Sequence, residues 1–184
     1  MNAVIAFIDE SGLMMHPLVR RSWAPCGQTP ILHQKTRSYS KVSAIAAVTV
    51  APQNARVGLY FCLLSNANFK GDRIVDFLRH LRQQVQRPIV VVWDRLMAHR
   101  GGPVKRFLRR NRRVHIEFLP PYAPELNPVE PLWGYLKMNP LANFAPTELS
   151  ELHGKARRSI KAMQRRYGLI RSFLYATPLF FCHK

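Results

Sequence analysis

The sequence predicts an α/β domain with a mixed central sheet flanked by helices. Two nearly continuous apolar runs, residues 3–9 and 89–94, are typical of strands buried on both faces, and each run ends in an aspartate. These two strands are expected to be parallel neighbours. Two further strands are predicted at residues 41–50 and 56–64, joined by a hairpin turn at Pro52-Gln-Asn.

The remaining elements are a short exposed strand, two helices, a last strand and a long C-terminal helix. The long helix has a capping sequence, Thr147-Glu-Leu-Ser, at its start. In chain order the five elements are predicted at residues 18–24, from Gly71 to Pro88, at 104–108, at 114–119 and from Thr147 to about residue 176.

The 184-residue chain is strongly basic, with 28 Lys and Arg against 10 Asp and Glu and a formal charge of +18. A field of that sign favours polyanions, and contact with nucleic-acid phosphates is its usual explanation. A basic surface without a specific partner is the alternative. The length suits one domain with a sizeable buried core.

Nothing in the sequence indicates a membrane or an oxidising compartment. No apolar run approaches the roughly 18–20 residues that a spanning helix needs. The N-terminus lacks the basic flank of a signal peptide. The three cysteines, at positions 26, 62 and 182, show no metal-ligand spacing. A reducing cytoplasm fits this cysteine usage best.

Three acidic residues stand where the predicted structure is rigid. Asp9 and Asp94 end buried strands. A proline-rich segment, Leu119-Pro-Pro-Tyr-Ala-Pro-Glu-Leu-Asn-Pro-Val-Glu-Pro-Leu-Trp133, delivers Glu130 to the start of a helix. Because sites in open α/β sheets gather at the carboxyl ends of strands, the three carboxylates are expected to meet there.

Converging carboxylates repel one another unless cations neutralise them. Oxygen ligands suit Mg²⁺ or Mn²⁺, and two such ions about 3.5–4 Å apart are an established device for in-line phosphoryl displacement. The sequence therefore predicts a two-metal site formed by Asp9, Asp94 and Glu130. Each acid also has a simpler explanation: the aspartates as capping or turn residues, and Glu130 as a favourable charge at a helix N-terminus.

Other residues in these motifs have alternative interpretations. Glu10 could replace Asp9 as a ligand, but adjacent strand residues point to opposite faces, which favours Asp9. His99 could orient DNA or a metal-bound water, or it could be structural. Trp133 is expected in the core and not as a stacking platform for bases.

Pairs of adjacent basic residues recur along the chain, and their simplest interpretation is that they lie on solvated faces. The cluster after the Asp94 strand is expected to contact the DNA phosphate backbone, which supplies affinity and not sequence choice. Residues 141–184 form a second basic region, with eight Lys or Arg and two acids. The predicted DNA-binding residues of the first cluster are Lys105, Arg106, Arg109 and Arg110.

Three segments carry the strongest motifs: Phe7-Ile-Asp-Glu10, Val92-Trp-Asp-Arg-Leu-Met-Ala-His99 and the proline-rich segment 119–133. Together they resemble the signatures of the DDE transposases of the mariner superfamily, including its bacterial insertion-sequence branch. The 35 residues between Asp94 and Glu130 are close to that group's spacing. Residues 23–30, Trp-Ala-Pro-Cys-Gly-Gln-Thr-Pro, also resemble the family's hairpin region.

The resemblance implies a ribonuclease H-like fold in which Asp9, Asp94 and Glu130 bind two Mg²⁺ or Mn²⁺ ions. It implies cleavage of transposon ends by water and joining of the freed 3′-hydroxyl to target DNA. Double-stranded DNA is then the partner, and a homodimer would pair the ends. Residues 1–140 are expected to form the catalytic domain, and residues 141–184 a basic helical extension packed on it. The expected location is the bacterial cytoplasm, at the nucleoid.

Two departures from the family pattern bear on function. Arg95 stands where the family usually has Asn after the second aspartate. Family members carry helix-turn-helix domains before the first catalytic strand, where this chain begins, so a separate DNA-binding partner or a missing N-terminal portion is expected. Two other functions stay open: a ribonuclease H-like nuclease that cuts without joining, and a basic DNA-binding protein derived from a decayed transposase.

Overall fold

A computed structural model describes residues 2–16, 18–33, 40–52, 56–95, 99 and 101–180, which contain five strands and five α-helices. The strands are β1 (Val4–Met14), β2 (Lys41–Val50), β3 (Val57–Ser65), β4 (Ile89–Trp93) and β5 (Val114–Phe118). The helices are α1 (Gly71–Gln84), α2 (Gly102–Arg110), α3 (Val129–Met138), α4 (Leu149–Gln164) and α5 (Tyr167–Tyr175). Short 3-10 turns lie at Pro124–Leu126 and Pro178–Phe180.

The strands form one sheet in the order β3-β2-β1-β4-β5. β1, β2 and β3 pair antiparallel, whereas β4 and β5 continue the sheet parallel to β1. Parallel neighbours need a crossover connection, and α2 supplies the one between β4 and β5. The predicted mixed sheet flanked by helices is confirmed.

Helices cover both faces of the sheet, because its central strands are apolar on both sides. α1 and α2 pack on one face, where their buried side chains form a core with β1 and β4. α3, α4 and α5 pack on the other face, mainly over β1, β2 and β3. Residues 42–49 of β2 are buried without interruption, as expected for a strand covered on both sides.

β1 is longer than the sequence predicts. The strand predicted at residues 3–9 continues past Asp9, because β2 pairs with β1 as far as Met14. Parallel pairing with β4 ends earlier, at Phe7 and Val92. Asp9 is therefore not a strand-terminal residue. It lies inside β1, two positions beyond the last residue that pairs with β4.

The predicted strand at residues 18–24 is wrong, because this segment joins no strand of the described sheet. A side chain takes the place of a pairing strand: the Arg20 N–H donates to Asn143 Oδ1 at 2.7 Å, and Asn143 Nδ2 donates to Arg20 O at 2.9 Å. The Arg20 guanidinium also donates to Met138 O at 2.7 Å. These contacts fasten the segment to the end of α3, while Trp23 further along is fully exposed.

The predicted long C-terminal helix is two helices, α4 and α5, separated by Arg165 and Arg166. α4 begins at Leu149, and the N–H and hydroxyl of Thr147 both donate to the Glu151 carboxylate, at 2.9 and 3.0 Å. Thr147 therefore binds the side chain of Glu151, and its hydroxyl does not cap a backbone group of the helix. The predicted hairpin turn at Pro52-Gln-Asn extends outside the described residues. Within the described ranges, no helix has both the length and the apolar composition needed to cross a membrane.

Candidate active site

Asp9 and Asp94 are neighbours at the edge of the sheet where β4 ends. β1 and β4 are parallel, and their register pairs Phe7 with Val92. Asp9 and Asp94 each follow these paired residues by two positions. The parallel register therefore brings the two aspartates together, although only Asp94 follows the end of its strand.

α3 brings Glu130 to the same edge, and buried Asn127 fixes where this helix starts. Asn127 Nδ2 donates to Ile8 O at 3.0 Å, and Asn127 Oδ1 accepts from the Val129 N–H at 3.1 Å. Because Ile8 directly precedes Asp9, one amide side chain ties the helix start to the first aspartate. Glu130 is exposed in the first turn of α3.

Trp133 of α3 holds Asp9 directly. Its indole is 2% exposed, and its Nε1 donates to Asp9 Oδ2 at 2.8 Å. The prediction that Trp133 is a core residue is confirmed, and the contact adds a second role. Trp133 and Glu130 are three positions apart, so they share one side of α3. The side of the helix that carries Glu130 therefore faces Asp9.

Negative charge accumulates at this edge. Burial, the largest cause, and the nearby carboxylates raise the pKa of Asp9 from 3.8 to about 7. The carboxylates that contribute are Glu130, Glu10 and Asp94, whereas the hydrogen bond from Trp133 lowers the pKa. The three predicted carboxylates thus lie close enough to act on one another electrostatically.

His99 joins the second aspartate to a fourth acid. Its imidazole is 2% exposed and stacks on Trp93, with 3.7 Å between the ring centroids. Nδ1 lies 2.7 Å from Asp94 Oδ1, and Nε2 lies 3.1 Å from Glu10 Oε1. Because ionised carboxylates only accept hydrogen bonds, both ring nitrogens donate and the ring is positively charged.

The pKa of His99 agrees with this charge. Burial disfavours the imidazolium, but the hydrogen bonds to Asp94 and Glu10 outweigh it and raise the pKa from 6.5 to about 9. DNA contact by His99 stays a prediction; the structure shows a buried ring whose two nitrogens both face carboxylates. Glu10 reaches His99 while Asp9 reaches α3, as strand alternation predicts. This arrangement supports Asp9 over Glu10 as the metal-facing acid.

The site suits a hard divalent cation by its donor chemistry. Carboxylate oxygens are the ligands that Mg²⁺ and Mn²⁺ prefer, and the raised pKa of Asp9 reflects negative charge that a cation would neutralise. In the part of the chain that the structure describes, no three His, Cys, Asp or Glu side chains are arranged as a preformed metal site. The fold nevertheless gathers the carboxylates at this edge of the sheet.

One protein family matches this chain. A model of the DDE superfamily endonucleases matches residues 4–153, more than half of the sequence. The chain belongs to the DDE superfamily endonucleases. The match includes all three predicted carboxylates and ends within α4. No curated protein sequence matches the chain significantly.

Solved structures of Mos1 transposase share the fold of this DDE endonuclease. The Mos1 paired-end complex with left transposon end matches with a TM-score of 0.65 and 14% identity, over 95% of this chain and 52% of that one. The catalytic domain of Mos1 mariner transposase matches with a TM-score of 0.53 and 13% identity, over 94% and 74%. The predicted ribonuclease H-like fold is confirmed. The chain spans about half the length of the Mos1 chain in the paired-end complex.

The predicted DNA-binding cluster of this DDE endonuclease lies on α2, which starts at Gly102, eight positions after Asp94. α2 packs on the sheet face opposite α3. It precedes β5, and Arg113 before β5 accepts a hydrogen bond from the first residue of β4, so α2 ends near the start of β4, at the far edge from Asp94. DNA contact by the cluster stays a prediction. Its exposed residues are Lys105, Arg106, Arg109 and Arg110.

Sequence reasoning missed three contacts that shape the site of this DDE endonuclease. The position of Asn127 before a proline at a helix start was an available signal for its anchoring role. The Trp133–Asp9 and His99–Glu10 contacts join residues more than 80 positions apart. No local periodicity reports such contacts, so only the fold reveals them.

Replacing Asp9 by Asn should stabilise the metal-free DDE endonuclease at pH 8. Folding raises the pKa of Asp9 from 3.8 to about 7, so ionisation of this group disfavours the folded state. The free-energy cost of ionising Asp9 in the folded state is absent below pH 3.8. It grows between pH 3.8 and about pH 7 and is constant above that. Asn removes the charge and keeps an acceptor for Trp133. We expect a gain on the order of 2 kcal/mol at pH 8, after allowance for solvent screening.

Urea unfolding in EDTA at pH 8 and about pH 4.5 measures this gain, which should be much smaller at the lower pH. Asp72→Asn removes an exposed acid of α1 and should give no comparable gain. Equal or lower stability of Asp9→Asn at pH 8 would contradict the raised pKa.

The contacts of His99 predict energetic coupling to Glu10. His99→Ala leaves Glu10 without its cation in a largely buried position, and Glu10→Gln replaces one of the two ion pairs of His99 by a neutral hydrogen bond. Each should destabilise the protein by roughly 1–4 kcal/mol. The double variant should lose less than the sum, with a coupling energy of about 1–2 kcal/mol. Urea unfolding at pH 7 measures the cycle. His99→Ala combined with exposed Asp76→Asn should be additive, and additivity with Glu10→Gln would refute the coupling.

Proposed function

We propose that this chain is the catalytic domain of a DDE transposase that cuts DNA at transposon ends and joins the freed 3′-hydroxyl to target DNA. The observation that carries the proposal is the meeting of Asp9, Asp94 and Glu130 at one sheet edge, in a member of the DDE endonucleases. Two strands and a helix supply these acids. Assignment to the bacterial insertion-sequence branch, and to the nucleoid, belongs to the same proposal and rests on the motifs.

The proposed cofactor is Mg²⁺ or Mn²⁺, held as two ions by Asp9, Asp94 and Glu130. Similar solved structures include Mos1 mariner paired-end complexes described with Mn and with Mg. When bound between carboxylates, a pair of divalent ions supplies activation of the attacking oxygen and stabilisation of the departing one.

The protein's own part is to orient the carboxylates. Trp133 fixes one oxygen of Asp9, at 2.8 Å, and His99 fixes one oxygen of Asp94, at 2.7 Å. Outer contacts of this kind tune ligand position and are often nearly as important as the ligands. Glu130 is exposed in the first turn of α3 and can change rotamer without disturbing the helix.

The proposed substrate is double-stranded DNA. The formal charge of +18 supports a polyanionic partner, and similar solved structures include the Mos1 paired-end and strand transfer complexes. We include a homodimer, which would hold two ends together. We also include a separate helix-turn-helix partner, which would recognise the ends.

A non-catalytic DNA-binding protein is the second candidate function. The observation that favours it is Arg95, which is exposed and stands where the family usually has Asn. A nuclease of the same fold that cuts without joining is the enzymatic alternative.

Glu130→Gln should abolish metal-dependent cleavage and spare DNA binding. The substitution removes one ionic ligand while keeping the side-chain shape, so we expect a loss on the order of 100-fold or more in cleavage. Cleavage of labelled DNA in Mg²⁺ and DNA affinity in EDTA are measured in parallel. Glu125→Gln, at an exposed glutamate of the 3-10 turn Pro124–Leu126, is the matched control and should cleave normally. Unchanged cleavage by Glu130→Gln would refute the site assignment.

The strand-transfer step should appear as joined DNA. Incubation of the protein with labelled transposon ends, a target plasmid and Mg²⁺ should yield cleaved ends and plasmid that carries the label. Cleavage without labelled plasmid would support the nuclease. Binding that weakens with salt, with neither product formed, would support the non-catalytic protein.

A further inference from the structure

α4 carries a basic face that points to solvent. Its buried stripe packs on the sheet. Four exposed basic side chains lie on the opposite side, three on the helix and the fourth at its C-cap, Arg165. None of the four forms an ion pair with a described acid, and the sequence contains no Asp or Glu after Glu151. We refer to these four residues as the α4 basic face: Arg157, Arg158, Lys161 and Arg165.

The α4 basic face lies on the same side of the sheet as the carboxylates. Gln164 Nε2, at the end of α4, donates to Leu59 O at 2.6 Å. Leu59 is opposite Val48 in β2, which is opposite Phe7 in β1. The end of α4 therefore lies at the same height along the strands as Phe7, which is two positions before Asp9. α3, which carries Glu130, packs on this side as well and contacts α4.

The dimensions suit a phosphate backbone. Residues 157 and 165 are eight positions apart, which is about 12 Å along a helix. One DNA strand presents a phosphate about every 3.4 Å along the duplex axis, so the face matches three or four phosphates. A face that is merely solvated usually mixes both signs of charge. The four positive charges of the α4 basic face repel one another, and no ion pair with a described acid offsets this repulsion. A bound polyanion would relieve it.

We infer that the α4 basic face binds the phosphate backbone of duplex DNA without sequence preference. The inference takes the identity of the polyanion from the proposed function. It makes α4, and not the predicted cluster on α2, the main DNA-binding surface, because α2 lies on the opposite sheet face. The four residues also lie beyond residue 153, outside the family match.

Two triple variants of the full chain test this inference, each removing three positive charges. One carries Arg157→Gln, Lys161→Gln and Arg165→Gln; the other carries Lys105→Gln, Arg106→Gln and Arg109→Gln. Fluorescence anisotropy follows binding of a labelled random-sequence duplex in EDTA over a range of salt concentrations. The α4 variant should bind about 10-fold or more weakly and lose roughly 2–3 from the slope of log affinity against log salt. The α2 variant should change by less than about threefold.

Equal losses in the two variants, or a larger loss for the α2 variant, would overturn the inference. Gln favours helix, and thermal unfolding checks that both variants stay folded. A charge-conserving variant, Arg157→Lys with Arg165→Lys, should keep the affinity within about twofold, and loss of binding there would also overturn it. Tighter binding of single-stranded RNA or of anionic vesicles than of the duplex, at the same salt, would overturn the assignment to duplex DNA.

The proposed function and the inference about the α4 basic face can be refuted independently of each other. Binding is measured without divalent ions, and Glu130→Gln should bind the duplex like the unmodified chain. An inactive protein whose binding depends on the α4 basic face would contradict only the proposed function. An active protein whose binding does not depend on that face would contradict only this inference.

Discussion

Mutual repulsion among carboxylates at the end of β4 is the constraint on which the rest of the site depends. Asp9, Glu10, Asp94 and Glu130 lie within one electrostatic neighbourhood, and the pKa of Asp9 rises to about 7 in consequence of burial and these charges. Such an arrangement disfavours folding. The protein offsets part of it with two donors, the indole of Trp133 and the imidazolium of His99. What they leave uncompensated is the charge that a divalent cation would neutralise.

The two donors act on opposite sides of β1, and this separates acids that are adjacent in sequence. Asp9 reaches Trp133 on the α3 side, and Glu10 reaches His99 on the other. A buried charged pair is costly unless its geometry is good, and the ring of His99 meets a carboxylate at each nitrogen while stacking on Trp93. Glu10 is thereby committed to holding His99, and through it Asp94. Asp9 has one oxygen held by Trp133, which makes it the acid suited to a metal.

Much of the fold could be predicted because hydrophobic periodicity is local. The strands and the first helices follow from apolar runs and turn residues, and the predicted core role of Trp133 follows from helical spacing. The errors arise where contacts with residues distant in the sequence decide the local structure. β1 extends past Glu10 because β2 pairs with it, and residues 18–24 form no strand because Asn143 binds the backbone of Arg20 instead. At the site, the residues could be predicted, but their supporting contacts join distant segments and could not.

The basic residues proposed to bind DNA are separate from the acidic residues proposed to act on it. The chain has 10 acidic residues, and four of them meet at one edge of a protein whose formal charge is +18. A carboxylate cluster by itself repels a phosphodiester, so affinity for DNA must come from elements outside the cluster. α4 packs on the same sheet face as α3, which carries Glu130, while α2 packs on the other face. Under the proposed function, the protein would hold its substrate through α4 and act on it through the carboxylates. Under the same proposed function, loss of a carboxylate would remove chemistry and leave the electrostatic hold on DNA intact.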